Sequence, residues 1–346
     1  MSAGPAQHLH TYEPVVSDGV AAALAGHGAS IVAASASRVW LITADERLGV
    51  VVREFGLDSV GAAAWHHDRL VLVSDWQVWT FVDAGPEPDG MAQHLLLAQE
   101  AHTTGSLGVT DVAVGSGGPV VVSGLFSCLA TLDDHNSMRP IWVAPGVTAL
   151  RPETRALLTG VALMDGRAAF VTAAGLSDEA DGWQPSLVGG GAVLTTGGEP
   201  VLSGLALPRH PRWQGDHLLV ADTGTGRVLR LDPATGDADS LVTLPGVLGA
   251  LDARRDLAVV AYGDASRAAV SGLEGGHPAS GPVRDGLALI DLPSGSVAGT
   301  IEFLGRAGPF GAVAVLPGLA SAALAVPRGL TTQQTAVLGD PEALTR

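Results

Sequence analysis

Asp111 is the residue whose position most strongly suggests chemistry. Short apolar runs recur along the chain, and five of the six begin with glycine, whereas the second begins with Asp111. If these runs line an apolar tunnel, the carboxyl group is removed from water and its pKa is raised. A carboxyl group that titrates near neutral pH can move protons, so we predict Asp111 as a catalytic acid or base. The structural alternative is that it accepts hydrogen bonds from neighbouring backbone N–H groups.

A second acidic candidate is Glu153, which lies between Arg151 and Arg155 just before the third run. It could serve as a second acid–base group at the mouth of the tunnel. The alternative is that Glu153 is half of a surface ion pair.

Three further residues are predicted to bind substrate because their loops would share one face of the fold. Trp76 could stack on a planar substrate, and its alternative is an ordinary packing contact. His102 precedes the second run, and Asp222 follows an apolar strand in the sequence Asp222-Thr-Gly-Thr225. That sequence resembles an aspartic-protease turn, but such a protease needs two carboxylates and the chain has no second copy.

Several classes of function are excluded by residues that the chain lacks. It has no lysine, which excludes a P-loop and a lysine Schiff base, and its single cysteine excludes an internal disulfide. No histidine spacing matches a metal site, so we predict neither a metal nor a cofactor. The formal net charge of −16 argues against nucleic-acid and membrane partners. With no signal-like N-terminus, the expected location is the cytoplasm.

Short strands must position these residues, because helical periodicity is nearly absent and Gly, Asp, Pro and Ser turns are frequent. The runs begin at positions 61, 111, 160, 204, 249 and 311, so most are separated by 44 to 50 residues. A repeat of that length predicts an all-β fold, a six-bladed β-propeller.

The sixth run begins too near the C-terminus to form a complete blade. We therefore predict that strands at Ser30–Ala34, Arg38–Thr43 and Gly49–Glu54 complete it and close the ring. A seven-bladed alternative counts Gly19-Val-Ala-Ala as another run. The predicted domains are a lead-in over 1–29, one propeller over 30–327 and a tail over 328–346.

The segment Gly263–Arg284 is a predicted insertion between the second and third strands of one blade. Long loops are usually functional or disordered, so it is either a lid over the tunnel or a solvated loop. Arg267 within it is predicted to bind a substrate carboxylate through two parallel hydrogen bonds.

Several phrases resemble a bacterial β-propeller family that carries only a domain-of-unknown-function label. They include Phe126-Ser-Cys-Leu-Ala-Thr-Leu-Asp133, Gly182-Trp183, Pro211-Arg-Trp213 and Leu316-Pro-Gly318. The resemblance covers roughly Ser30 to Gly318 and implies the same propeller without supplying a reaction.

The departures from that family lie at its polar positions. Arg209 stands where the family has a histidine, and apolar or small residues replace other polar ones at Leu125, Leu157, Thr159, Pro309 and Ala312. Asp111 and Arg267 match. If the family's polar set lines a pocket, the resemblance implies a remodelled pocket for a more hydrophobic ligand, with Arg209 among its binding residues.

The leading functional hypothesis is a small-molecule enzyme of specialised metabolism that acts on an aromatic or apolar substrate. By fold analogy with strictosidine synthase-like propellers, it would catalyse a Pictet–Spengler condensation of an amine with an aldehyde, without a cofactor. One alternative is a non-catalytic ligand-binding or scaffold propeller. Another is a cofactor-free hydrolase or isomerase.

Overall fold

The computed structural model describes residues 13–35, 38–57, 59–87, 90–265, 273, 283–304 and 309–326. Within these ranges, short strands form six sheets arranged as the blades of a propeller. The predicted six-bladed β-propeller is confirmed.

The N-terminal segment contains one strand and one helix before the three strands that complete the last blade. These elements are β1 (Glu13–Val16), α1 (Gly19–His27), β2 (Ala29–Ser35), β3 (Arg38–Asp45) and β4 (Gly49–Phe55). Alanine favours the helix, which buries Val20 and Leu24 on one face and ends at Gly28 in the left-handed conformation. The seven-bladed alternative is therefore wrong, because its extra run at Gly19 is helical.

The next two blades follow in chain order, each as an antiparallel sheet from the axis outwards. Blade 1 contains β5 (Ala62–His66), β6 (Arg69–Val73), β7 (Gln77–Asp83) and β8 (His94–Thr103). Blade 2 contains β9 (Val109–Gly115), β10 (Gly118–Ser123), β11 (Cys128–Thr131) and β12 (Arg139–Val143).

Blades 3 and 4 repeat this arrangement. Blade 3 contains β13 (Leu158–Met164), β14 (Arg167–Ala173), a 3₁₀ turn (Gln184–Ser186), β15 (Val188–Thr195) and β16 (Pro200–Ala206). Blade 4 contains β17 (Pro208–Gln214), β18 (His217–Asp222), a 3₁₀ turn (Thr223–Thr225), β19 (Arg227–Leu231) and β20 (Ala238–Thr243).

The last elements are blade 5 and the two C-terminal strands. Blade 5 contains β21 (Val247–Arg254), β22 (Leu257–Gly263), β23 (Gly286–Asp291) and β24 (Ser296–Leu304). The C-terminal strands are β25 (Ala312–Pro317) and β26 (Ala322–Ala325).

Both ends of the described chain close the ring. Strand β25 is the innermost strand of blade 6 and pairs with β2, followed by β3 and β4, as the sequence predicted. Strand β1 adds a fifth strand to blade 5 through β24, and β26 pairs in parallel with β8 at the outer edge of blade 1. Thus 13–16 and 19–27, within the predicted lead-in, pack on the propeller.

One predicted run was assigned to the wrong strand. Gly204 was predicted to begin an innermost strand, but it lies in β16, the outermost strand of blade 3. The innermost strand of blade 4 begins at Pro208. A short run headed by glycine occurs at the edge of a sheet as well as at its centre, so composition alone did not separate the two positions.

Apolar side chains of adjacent blades form the core. Between blades 5 and 6, the aromatic rings of Trp40, Phe303 and Phe310 contact one another with centroids 5.0 to 5.4 Å apart. In the part of the chain that the structure describes, no helix has the length and apolar character needed to cross a bilayer.

Candidate functional site

A cavity of about 370 Å³, which we call the mouth cavity, lies at one end of the propeller axis. It is lined where chain segments enter the innermost strands and where second strands turn into third strands, which is the face predicted to hold the site. Its apolar wall is formed by Val60, Leu207, Val247, Leu248, Pro309 and Phe310. Its polar lining includes Asp75, Arg209, Thr223, Tyr262 and Asp264.

The irregular course of β17 at His210 and Pro211 explains how this strand brings Arg209 to the cavity. The pairing of β17 with β18 shifts register between Arg209 and Arg212. Pro211 has no N–H group to donate, and His210 adopts a left-handed backbone with φ of 47°. The resulting bulge separates the two arginines, so that Arg209 lines the mouth cavity and Arg212 lies deeper along the axis.

The guanidinium group of Arg209 forms no ion pair or side-chain hydrogen bond with the described residues, and its Nε atom is buried. Burial lowers the pKa of Arg209, while the negative charge of Asp111 opposes that effect. An arginine remains protonated in proteins, so the mouth cavity contains a cation without a paired anion in the described part of the molecule.

Three other polar groups line the mouth cavity, and they differ in whether they form hydrogen bonds or ion pairs with described residues. Asp75 is exposed and forms no ion pair or hydrogen bond with described residues through its side chain. The Thr223 hydroxyl is buried and likewise has no hydrogen-bond partner there. The Tyr262 hydroxyl lies 3.5 Å from Glu302, and burial with that carboxylate raises the pKa of Tyr262 to about 12.

Asp111 does not line the mouth cavity but is buried beside the axis. The two terminal guanidinium nitrogens of Arg212, Nη1 and Nη2, donate to its carboxylate at 2.8 Å. The backbone N–H groups of Val112 and Val161 donate to the same carboxylate at 2.9 and 3.1 Å. The predicted structural alternative, a carboxylate that accepts hydrogen bonds from neighbouring backbone, describes these contacts.

The expectation of a raised pKa at Asp111 is wrong. Burial alone would raise that pKa, but the positive charge of Arg212 and the nearby His210 hold it well below its usual range. His210 Nδ1 lies 3.2 Å from Asp111 Oδ1, and burial lowers the pKa of His210. Asp111 is therefore an anion at neutral pH, and its oxygens are occupied by four donors.

A chain of polar contacts runs from Asp111 around the axis and joins all six blades. Arg212 in blade 4 also approaches Asp252 in blade 5, with Nε 3.3 Å from Oδ1. Asp252 accepts the N–H group of Val315 in blade 6 at 2.9 Å. Arg254 in blade 5 donates to the Trp65 carbonyl oxygen in blade 1 at 2.9 Å. With Val161 in blade 3, this axial network ties the inner strands together.

Glu153 lies in an ion-pair cluster on the surface rather than in the mouth cavity. Its carboxylate accepts a hydrogen bond from Arg155 Nε at 2.9 Å and lies 3.8 Å from Arg151. Arg155 also contacts Asp178 at 2.6 Å. Hydrogen bonds from Thr148 and Arg155 lower the pKa of Asp178 to about 2. The surface ion-pair alternative fits the position of Glu153.

The remaining predicted residues take different positions. Trp76 is 54% exposed and follows Asp75 at the rim. Asp222 is buried and accepts hydrogen bonds from Ala206 N–H, Thr225 and Arg227. His102 lies on β8, the fourth strand from the axis, with Nε2 buried and unbonded to described residues. Arg267 lies outside the described residues.

The insertion follows β22 and precedes β23, the second and third strands of blade 5, as predicted. Of its inner part, the structure describes Leu273, which is buried in a cluster with Leu157, Trp183 and Leu207. Two members of this cluster, Leu207 and Val247, also line the mouth cavity, so Leu273 belongs to the cluster that forms part of the cavity wall.

Comparison with known proteins identifies the family. Residues 19–324 match the family described as a domain of unknown function, DUF4915. The chain belongs to the DUF4915 family. This confirms the predicted resemblance to a β-propeller family of unknown function, whereas the individual phrases are not tested by the match. No curated protein matches the chain.

A solved structure shares the fold of this DUF4915 member. A chain of the nidogen/laminin complex has a TM-score of 0.54 at 12% identity, covering 84% of this chain and 99% of that one. A protein of unknown function from Bacteroides caccae has a TM-score of 0.47 at 11% identity, covering 83% of this chain and 98% of that one. The similarity to the nidogen/laminin chain concerns the fold alone. Neither match supports the strictosidine synthase analogy.

Several important residues of this DUF4915 protein were missed in the sequence. Arg212 appeared only within the phrase Pro211-Arg-Trp213, and Asp252 and Thr223 were given no role. Because the chain has no lysine, the cationic partner of the buried Asp111 carboxylate had to be an arginine or a histidine. Residues of different blades are brought together only by the fold, so no spacing in the sequence pointed to Arg212. The described residues contain no cluster of three or more His, Cys, Asp or Glu side chains that could hold a metal ion.

Proposed function

We propose that this protein binds a small, mainly apolar carboxylate in the mouth cavity, with Arg209 as the counter-ion. The observation that carries this proposal is an unpaired guanidinium group in the wall of a largely apolar cavity. Burying a charge without a partner is costly, so a ligand that supplies the anion would gain much of its affinity there.

The chemistry of the lining indicates the ligand class. A guanidinium group matches a carboxylate through two parallel hydrogen bonds, and the Thr223 hydroxyl offers another polar contact. The apolar wall, including Phe310, suits an aliphatic or aromatic body. An aromatic carboxylate combines these features and agrees with the apolar or aromatic ligand predicted from the sequence.

The proposal is tested by comparing a carboxylate with its neutral amide. Indole-3-acetate and indole-3-acetamide have nearly the same shape but differ in charge. We expect the acid to raise the melting temperature of the protein and to bind in calorimetry, and the amide to bind at least roughly tenfold more weakly. Equal binding of acid and amide would count against a charged contact.

Two variants locate the contact. Arg209→Met keeps much of the side-chain length but removes the charge, and we expect it to bind acid and amide equally weakly. Arg230→Met is the matched control, because Arg230 lies in the same blade, is exposed and pairs with Asp239. Normal selectivity for the acid in Arg209→Met would refute the proposal.

A catalytic function in the same cavity is a second candidate, supported by Asp75. This carboxylate lines the cavity with Arg209 and forms no side-chain hydrogen bond or ion pair with the described residues. In a Pictet–Spengler condensation, an amine and an aldehyde form an iminium ion and release water. An aromatic carbon then attacks the iminium carbon, and a carboxylate such as Asp75 accepts the proton that the ring loses.

The catalytic candidate is tested with an aromatic amino acid and an aldehyde. We expect a product whose mass equals the two substrates minus water, enriched in one stereoisomer. Asp75→Asn should abolish the enrichment, whereas Asp256→Asn, at an exposed site, should retain it. A racemic product at the buffer rate would reject catalysis while leaving the binding measurements above intact.

A further inference from the structure

A second cavity, which we call the basal cavity, opens at the opposite end of the axis. Its volume is about 510 Å³, and its lining includes His27, Trp65, His66, His67, Arg254 and Arg255. It shares Trp65, His66 and Arg254 with a deeper cavity of about 230 Å³ that reaches Arg212 and Asp252 of the axial network. The axial network therefore lies at the inner end of a basic depression.

The charge of this lining is opposite to that of the whole chain. Two arginines and three histidines line the basal cavity, and among the described residues no aspartate or glutamate does. Burial and the neighbouring His67 and Arg254 lower the pKa of His66, so the two arginines are the fixed positive charges of this lining. The chain as a whole has a formal net charge of −16. The nearest acid of the deeper cavity, Asp252, is occupied by Arg212 and Val315 N–H. A local cationic cavity attracts anions even when the protein as a whole repels them.

Several donors of the basal cavity are unused. The side chains of His67 and Arg255 form no hydrogen bond or ion pair with the described residues. Arg254 Nε is buried without a hydrogen bond, although it lies 3.7 Å from Asp252. The rings of His66 and His67 are adjacent, with centroids 4.1 Å apart.

Two of these donors, His67 and Arg255, lie in tight turns with an unusual backbone conformation. His67 and Arg255 occupy the tight turns β5–β6 and β21–β22 with left-handed φ values of 55° and 53°. Histidine adopts this conformation more often than most residues, as asparagine and aspartate do, whereas a long side chain such as arginine seldom does. The β21–β22 turn therefore carries a cationic side chain at a position where local backbone preference does not favour it.

We propose that the basal cavity binds a phosphate-type oxyanion, either inorganic phosphate or the phosphate group of a small molecule. A carboxylate would engage one arginine, as in the mouth cavity. A tetrahedral, multiply charged anion can accept hydrogen bonds from several directions, which suits two guanidinium groups and nearby imidazoles on blades 1 and 5.

Calorimetry with inorganic phosphate and with phenyl phosphate, in a phosphate-free buffer of low ionic strength, tests this proposal. We expect one site for each ligand on the wild-type chain. If phenyl phosphate binds more tightly, the ligand of the basal cavity is the phosphate group of a larger molecule. If inorganic phosphate binds more tightly, the ligand is the free anion. Failure of both to bind would overturn the proposal.

Three variants assign the site. His67→Asn/Arg255→Asn removes two donors with a residue that tolerates the left-handed turn, and we expect phosphate affinity to fall at least roughly tenfold. Arg151→Asn, an exposed arginine away from the cavity, should bind as the wild type does. Arg209→Met should also bind normally, and loss of phosphate binding in it would place the anion in the mouth cavity instead.

A measurement on the unmodified chain keeps the test independent of folding. In a phosphate titration followed by NMR, we expect the imidazole resonances of His27, His66 and His67 to move with one saturating curve. If these resonances stay fixed while calorimetry reports binding, the phosphate lies elsewhere and the proposal is wrong.

Discussion

The Asp111 carboxylate and the Arg212 guanidinium group form a bidentate pair across the propeller axis, although they are 101 residues apart in sequence. Asp111 belongs to the innermost strand of blade 2 and Arg212 to that of blade 4. The same arginine continues to Asp252 in blade 5. A residue that seemed suited to proton transfer thus has its clearest role in holding the inner strands in register.

Replacement of Asp111 by asparagine should destabilise the fold. The change leaves buried Arg212 without its bidentate partner, and breaking a buried ion pair in this way typically costs about 3–5 kcal/mol. Urea denaturation measures the loss. Asp239→Asn removes an exposed partner of Arg230 and should leave the free energy of unfolding unchanged within error. Wild-type stability in Asp111→Asn would mean that the pair contributes nothing.

The contribution of Asp111 should depend on pH. Its pKa in the folded protein is lowered, so its stabilisation is fully present above the unfolded pKa of about 3.9 and is lost as pH falls further. The free-energy difference between wild type and Asp111→Asn should therefore shrink as pH falls below about 4. The other carboxylates titrate in both proteins, so their contributions cancel in the free-energy difference between the two. Denaturation curves that remain equally far apart down to pH 2 would contradict this assignment.

The contrast between fold and site shows what a single sequence can specify. Alternation and turn residues such as Gly, Asp and Pro act locally, so six blades and the closure by β2, β3 and β4 were predictable. The prediction that Gly204 begins an innermost strand was wrong because the same local composition occurs in an edge strand. The alternative that counted Gly19-Val-Ala-Ala as a strand was wrong because its alanines favour a helix, which buries Val20 and Leu24.

The site was less predictable because its contacts are non-local. The sign of the pKa shift at Asp111 depends on Arg212, which lies two blades away and reaches the axis after a bulge at Pro211. Arg209 was selected only because it departs from a family pattern. Arg209 lacks an ion-pair partner among the described residues because of its position on β17. No spacing in the sequence reveals that position.

Glycine at position 160 should be required for close packing of the inner strands. A Cβ atom there would collide with the ring of Pro211 and lie 2.7 Å from the His210 backbone nitrogen. We expect Gly160→Ala to lower the free energy of unfolding by about 1–3 kcal/mol, the usual cost of overpacking. Gly117→Ala, where a Cβ atom meets nothing within 4 Å, should have little effect. Equal stability of the two variants in urea would show that β17 can shift away from blade 3 freely.

Arg209→Met should separate stability from binding. In the free protein Arg209 forms no ion pair with described residues, and its burial opposes the charge, as its lowered pKa indicates. Replacing an unpaired, partly buried cation with an apolar side chain should leave the unligated protein at least as stable as the wild type. The same change should abolish the stabilisation that indole-3-acetate gives to the wild type, because a ligand stabilises only through its affinity for the folded state. Melting curves with and without the acid measure both effects. If the unligated Arg209→Met variant melts at a clearly lower temperature than the wild type, Arg209 is instead a structural residue of blade 4.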